Sequence, residues 1–215
     1  MKTIALEKAV GMIPDGASLM IGGFMGVGTP ERLIDELVSQ RKRDLTVIAN
    51  DTAVPGRGIG KLVTAGAVRK VVASHIGLNP ETQQKMIAGE MEVELVPQGT
   101  LIERIRAAGC GLGGVLVRTG IGTLAEEGKR KMEVNGTSYL VEVALAADFA
   151  LVEAFVSDYY GNLVYALTAR NFNPVIAMAA RTVVADAAHI VPVGVIPPDH
   201  VMTPAPLVDF LIARE

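Results

Sequence analysis

Four glycines fall within seven residues, at Gly22, Gly23, Gly26 and Gly28. They separate an apolar run, Ser18 to Ile21, from a charged-apolar alternation, Pro30 to Leu37. Glycine loses more backbone entropy on folding than other residues, so such a loop needs what only glycine allows. The usual needs are positive φ or close approach of another group to bare backbone. Between a strand and a helix, exposed backbone N–H groups suit an anion or an oxyanion that develops during a reaction. The alternative without a ligand is that the glycines only let strand, loop and helix pack closely.

Two phosphate motifs can be set against this loop. In a dinucleotide fingerprint, G-x-G-x-x-G, Gly26 and Gly28 supply the first two positions and Asp51 stands where the acidic residue belongs. The third glycine position is Glu31, after Pro30, which brings a carboxylate towards the pyrophosphate. A Walker loop finds its spacing at Gly23 and Gly28, but Thr29-Pro30 replaces the lysine and hydroxyl that hold the nucleotide and magnesium. The nucleoside triphosphate reading fails on that lysine.

Other reactive residues are sparse. Cys110 is the one cysteine, with no base paired to it in the sequence, and it forbids an internal disulfide. His75, His189 and His200 show no ligand spacing, and no Cys/His cluster suggests a metal. His75 follows a strand and could touch substrate, although a hydrogen-bonded structural role explains it as well. Glu126-Glu127-Gly128, before a Lys/Arg run, reads most simply as a solvated turn.

The elements that must position the loop follow from pattern. Ala17 to Ile21, "DLTVIAND", "RKVVASH" and "EVELV" read as strands. Between them, helices are expected from Pro30, in "GIGKLVTAG", from Pro80 with Asn79 as N-cap, and in "GTLIERIRAAG". The alternation from Ala17 to Ala108 predicts an α/β fold, an open and mostly parallel sheet with helices on both faces. After Gly109 the texture changes. Asn135-Gly136 between alternating residues signals a hairpin, and Asp158 to Gly161 joins two more strands. The second half is expected to be β-rich, with antiparallel pieces packed onto the first. No internal repeat or linker appears, so one domain over 1–215 is expected.

The 215 residues carry 20 basic and 23 acidic side chains, a net charge of −3, with 4% aromatics and no Trp. That leaves no basic stripe and no stacking platform, which argues against nucleic acid. No apolar run reaches membrane-spanning length, and Glu7 and Lys8 interrupt any signal-peptide core, so a cytoplasmic location is expected. The mean hydropathy of +0.37 is high. A sheet buried on both faces explains it, and so does a large subunit interface.

The stretch "DGASLMIGGFMGVGTP", Asp15 to Pro30, resembles the signature of the family I coenzyme A transferases. The pattern is Asp-Gly, two free positions, three apolar residues, Gly-Gly-Phe, three free positions, Gly, one free position and Pro. The likeness continues through "IANDTA", "ASHIGLNPET", "GEMEVELVPQGTLIERIRAAGCGLGG", "TGIGT", "EEGK" and "TARNFNP", nearly the whole chain. Within the family it is similar to the α subunits of acetate (acetoacetyl) CoA-transferases. The resemblance implies CoA thioester and short-chain carboxylate substrates and no tightly bound cofactor. It also implies a β subunit of related fold, commonly in an α2β2 assembly. In such enzymes a glutamate attacks the acyl-CoA, an acyl anhydride forms, and CoA thiolate converts it to a glutamyl-CoA thioester.

By the same resemblance, Gly22, Gly23, Phe24, Met25, Gly26, Val27 and Gly28 form the CoA-binding stretch. Asn50 and Gln98 match polar residues that line the acyl and carboxylate site. Without the resemblance Asn50 reads as a cap or loop-bracing amide and Gln98 as a loop hydrogen bond. Asp51 departs from succinyl-type relatives, where the stretch is closer to Asn-Asn-Ala-Gly, and tilts the choice towards acetate or another short monocarboxylate. No glutamate here is followed by Asn-Gly, so the nucleophile is expected on the partner subunit and no catalytic residue in this chain. The alternative is a CoA- or nucleotide-binding regulatory protein of the same fold without catalysis.

Overall fold

The computed structural model describes residues 2–213. Its first half alternates β1 (Thr3–Ile4), α1 (Leu6–Gly11), β2 (Ser18–Ile21), α2 (Glu31–Ser39), β3 (Leu45–Asp51), α3 (Ile59–Thr64), β4 (Val68–His75), α4 (Pro80–Ile87), β5 (Glu92–Leu95) and α5 (Gln98–Gly109). Strands β2 to β5 lie side by side in chain order, all parallel. Their side chains alternate between two cores. Leu19, Ile21, Val47, Ala49, Val71 and Ala73 pack with α1, α2 and α3, while Met20, Ile48 and Val72 pack with Leu101 and Ile105 of α5. Burial on both faces is why these strands read as unbroken apolar runs.

The second half comprises β6 (Gly114–Val117), β7 (Lys131–Val134), β8 (Thr137–Val143), β9 (Ala147–Asp158), β10 (Leu163–Val164), α6 (Asn173–Ile176), β11 (Ala180–Val191) and β12 (Phe210–Ile212). The antiparallel pieces are present: β6-β8-β7 form a separate small sheet, and β10 pairs with β9. Asn135 and Gly136 have φ of 49° and 73°, as the two-residue turn between β7 and β8 requires. Unlike the sequence expectation of a second half packed onto the first, β9, β11 and β12 extend the parallel sheet itself. Its order is β1-β12-β11-β9-β2-β3-β4-β5. Nothing local distinguishes a strand that joins a distant sheet from one that packs over it, so the join was not legible. No helix among the described residues is long and apolar enough to cross a membrane.

Asn79 caps α4 as its sequence predicts, accepting from the Glu81 and Thr82 N–H groups at 3.1 and 3.2 Å. It is fully buried, and its Nδ2 donates to the Thr52 carbonyl at 3.0 Å, which ties α4 to the loop that follows β3. Asn79→Ala is expected to cost roughly 2–4 kcal/mol, a lost cap plus buried groups left unpaired. Urea unfolding checks this. A loss within experimental error would mean that water replaces the side chain.

Candidate active site

Strand order reverses at β2: the chain runs to β3, β4 and β5 on one side, while β9 and β11 lie on the other. In open parallel sheets ligands bind beyond the carboxyl ends of strands at such a point. The glycine loop leaves β2 at this place. Phe24 and Val27 exchange backbone hydrogen bonds at 2.9 Å each, closing a two-residue hairpin turn over Met25 and Gly26. Their φ values, 51° and 80°, are those of the turn that fits this twist. Phe24, Met25 and Val27 are exposed at the tip.

Most of the glycine requirement comes from the wall behind the loop. A Cβ on Gly22 would stand 1.8 Å from Asn173 Oδ1, and one on Gly28 would stand 2.6 Å from Ala169 Cα. One on Gly23 would meet Thr29 Oγ1 at 2.1 Å. Asn173, fully buried, donates to the Gly28 and Ala169 carbonyls at 2.9 and 3.0 Å and accepts from the Glu153 N–H at 3.1 Å. Thr29 Oγ1 donates to the Gly22 carbonyl at 3.0 Å. Close packing therefore accounts for Gly22, Gly23 and Gly28. Gly26 differs, because the nearest atoms to its Cβ would be those of the Arg57 side chain, from 2.9 Å, and its N–H has no acceptor among the described residues.

The two amides expected in the site meet directly. Gln98 opens α5 after Pro97, and its Nε2 donates to Asn50 Oδ1 at 2.7 Å. Asn50, the residue before the end of β3, is 2% exposed and donates through Nδ2 to Asp51 Oδ2 at 2.8 Å. Ser74 Oγ from β4 braces the Asn50 carbonyl at 2.7 Å. Asp51 accepts in turn from the Met25 N–H of the hairpin at 2.9 Å. A continuous chain of bonds thus runs Gln98–Asn50–Asp51–Met25, from the start of α5 through the end of β3 to the glycine hairpin. The following residues of the hairpin, Gly26–Gly28, line a cleft of about 450 Å³ with Arg32, Arg57, Glu153 and Asp186, and none of the four bonded residues lines it. Arg32 pairs with Asp186 at 3.1 Å.

The dinucleotide reading needs Asp51 as its acid, while Glu31 counts against it, and both carboxylates are held by protein groups. Glu31 accepts from the Gly58 N–H at 2.8 Å and pairs with Lys61 at 2.7 Å. Partial burial lowers the Lys61 pKa, but hydrogen bonds to Asp35 and Glu31 outweigh it, and the net shift is upward. Asp51 is committed to protein donors.

The sequence pattern of the coenzyme A transferase family matches residues 3–214. This chain belongs to that family. The CoA-transferase chain is 52% identical to acetate CoA-transferase subunit alpha of Escherichia coli, over 100% of this chain and 97% of that one. It is 49% identical to the acetoacetyl-CoA:acetate/butyrate CoA transferase alpha subunit of Clostridium acetobutylicum, over 98% and 97%. Its fold is that of an Escherichia coli acyl-CoA transferase solved as a thioester complex with CoA, at TM-score 0.87 and 24% identity. That match covers 99% of this chain and 47% of the other, so the chain spans about half its length.

The remaining chemical residues of the CoA-transferase chain stay outside this network. The His75 ring lies against Gly77, where a Cβ would stand 2.7 Å from it, and His189 makes an edge contact with Phe155 at 5.3 Å between ring centroids. Cys110 is exposed at the end of α5. Glu126 accepts from the Gly122 N–H at 2.7 Å and pairs with Lys131, as a solvated turn would. Among the described residues no group of three His, Cys, Asp or Glu is placed to hold a metal. Sequence reasoning missed Asn173, because its bond to Gly28 crosses 145 residues and nothing local marks it.

Proposed function

We propose that this chain is the α-type subunit of a CoA-transferase that moves coenzyme A between a short-chain acyl-CoA and a carboxylate such as acetate or acetoacetate. The observation that carries the reading is the Gln98–Asn50–Asp51–Met25 chain at the strand ends, in a chain 52% identical over its whole length to an acetate CoA-transferase subunit alpha. CoA enters as a substrate, along the stretch Gly22 to Gly28. A glutamate of a β subunit, across the interface in an α2β2 assembly, attacks the thioester carbonyl and expels CoA thiolate, leaving an acyl-glutamyl anhydride. The thiolate then attacks the glutamyl carbonyl, releases the first carboxylate and forms a glutamyl-CoA thioester. The acceptor carboxylate reverses both steps. A covalent relay splits one difficult exchange into matched halves, each passing through an oxyanion that needs donors.

Gln98 is exposed and supplies such a donor, while buried Asn50 holds it in place. Gly26 supplies an unpaired backbone N–H at the cleft. Asp51 and Glu31 are both held by donors, and Asn135-Gly136 forms a hairpin turn after Val134, which supports a nucleophile on the other chain. The chain acts as one domain over 1–215, in the cytoplasm.

The test is to co-express the β subunit, assay CoA exchange across a panel of acids, and incubate the assembly with acyl-CoA without acceptor. Exchange is expected only in the assembly, with the trapped thioester on the partner chain. Binding of CoA without exchange would favour a regulatory protein. Label on this chain, or turnover by it alone, would overturn the assignment.

A further inference from the structure

Asp51 is almost entirely buried, and it accepts three hydrogen bonds from two loops and a neighbouring side chain. Oδ1 takes the Ala53 N–H at 2.7 Å, and Oδ2 takes the Met25 N–H at 2.9 Å and Asn50 Nδ2 at 2.8 Å. The two backbone donors share an unusual feature. Met25 has φ of 51° and Ala53 of 52°, both in the left-handed region that side chains disfavour. Such conformations persist only where the surroundings over-determine them. One carboxylate therefore holds a strained residue after β2 and another after β3.

The same carboxylate settles the orientation of two amides. An ionised carboxylate only accepts, so Asn50 must turn Nδ2 towards it. Asn50 Oδ1 then faces Gln98, which must present Nε2, and this is the observed 2.7 Å bond. We propose that Asp51 is a positioning residue of the exchange reaction, acting through Asn50 to orient the Gln98 amide while pinning the tip of the glycine hairpin. The proposal rests on the CoA-transferase reading of the site.

The test is Asp51→Asn in the assembled enzyme, with and without Gln98→Ala. An amide of the same shape keeps one acceptor and sets an N–H group against a donor. Residues in one hydrogen-bonded network are coupled, so Asp51→Asn should lower kcat roughly 10–100-fold alone but less than about 3-fold beside Gln98→Ala. Equal factors in both backgrounds would overturn the relay to Gln98. Hydrogen exchange of the peptide spanning residues 22–30 gives a readout independent of activity. It should speed up in Asp51→Asn while the central strands stay protected, and unchanged exchange would overturn the clamp. If Asp51→Asn fails to assemble, Met25→Gly with Ala53→Gly removes the backbone strain and supplies a background for the same comparisons. Wild-type assembly that exchanges no CoA would sink the functional reading instead, leaving hydrogen exchange to decide whether Asp51 holds the hairpin.

Discussion

Gly28→Val is expected to cost roughly 3–5 kcal/mol of stability, the sum of a strained left-handed backbone and an overpacked wall. Gly28 has φ of 75°, and its Cβ would stand 2.5 Å from the Ala169 Cβ and 2.6 Å from its Cα, neither of which can swing aside. The Gly28 and Ala169 carbonyls both receive the Asn173 amide, so displacing either one unpairs a fully buried side chain. Gly26→Ala is the contrasting variant. Its new Cβ comes nearest to the exposed Arg57 side chain, which can move, and the change should cost about 1–2 kcal/mol, chiefly from its positive φ. Thermal and urea unfolding of the two variants, beside CoA binding, separates packing from ligand approach. If Gly28→Val unfolds with the wild-type midpoint, the wall does not hold the loop as described. If Gly26→Ala loses CoA affinity no faster than stability, CoA does not approach the bare Gly26 backbone closely.

Gln98→Ala in the assembled enzyme is expected to lower kcat by about 10²–10³, the usual cost of one oxyanion donor. Stability should hardly change, since Gln98 is exposed at the first position of α5 and exposed substitutions usually stay within about 0.5 kcal/mol. Asn50 Oδ1 would keep Ser74 Oγ, at 3.3 Å, as a weaker donor. Steady-state kinetics with acyl-CoA and carboxylate varied separately checks this. Unchanged kcat with an intact assembly would remove Gln98 from the reaction.

Local chemistry was legible in the sequence. Asn79-Pro80 starts a helix and Asn135-Gly136 turns a hairpin because capping and turn geometry act within a few residues. Ala17 to Ile21 and "DLTVIAND" show themselves as two-face-buried strands because both cores leave their mark on the side chains. The density of glycines after β2 announced a crowded loop. It could not say what crowds it.

Only the tertiary structure decided that. Gly22 and Gly28 are glycines because Asn173 and Ala169 stand against them, and those neighbours arrive through β9 and α6 from the far half of the chain. The Asn50–Gln98 bond spans 48 residues, and the Asp51–Met25 bond joins the end of β3 to the hairpin that follows the adjacent β2. Asp51 read from its position as a ribose-binding acid or a substrate preference, yet its neighbours make it a buried clamp. The same separation governs β9 and β11, whose apolar residues would suit a sheet packed on top as well as a strand within. Hydrophobic pattern is a property of single segments and fixes which face is buried, while pairing depends on the shape of partners the segment does not contain.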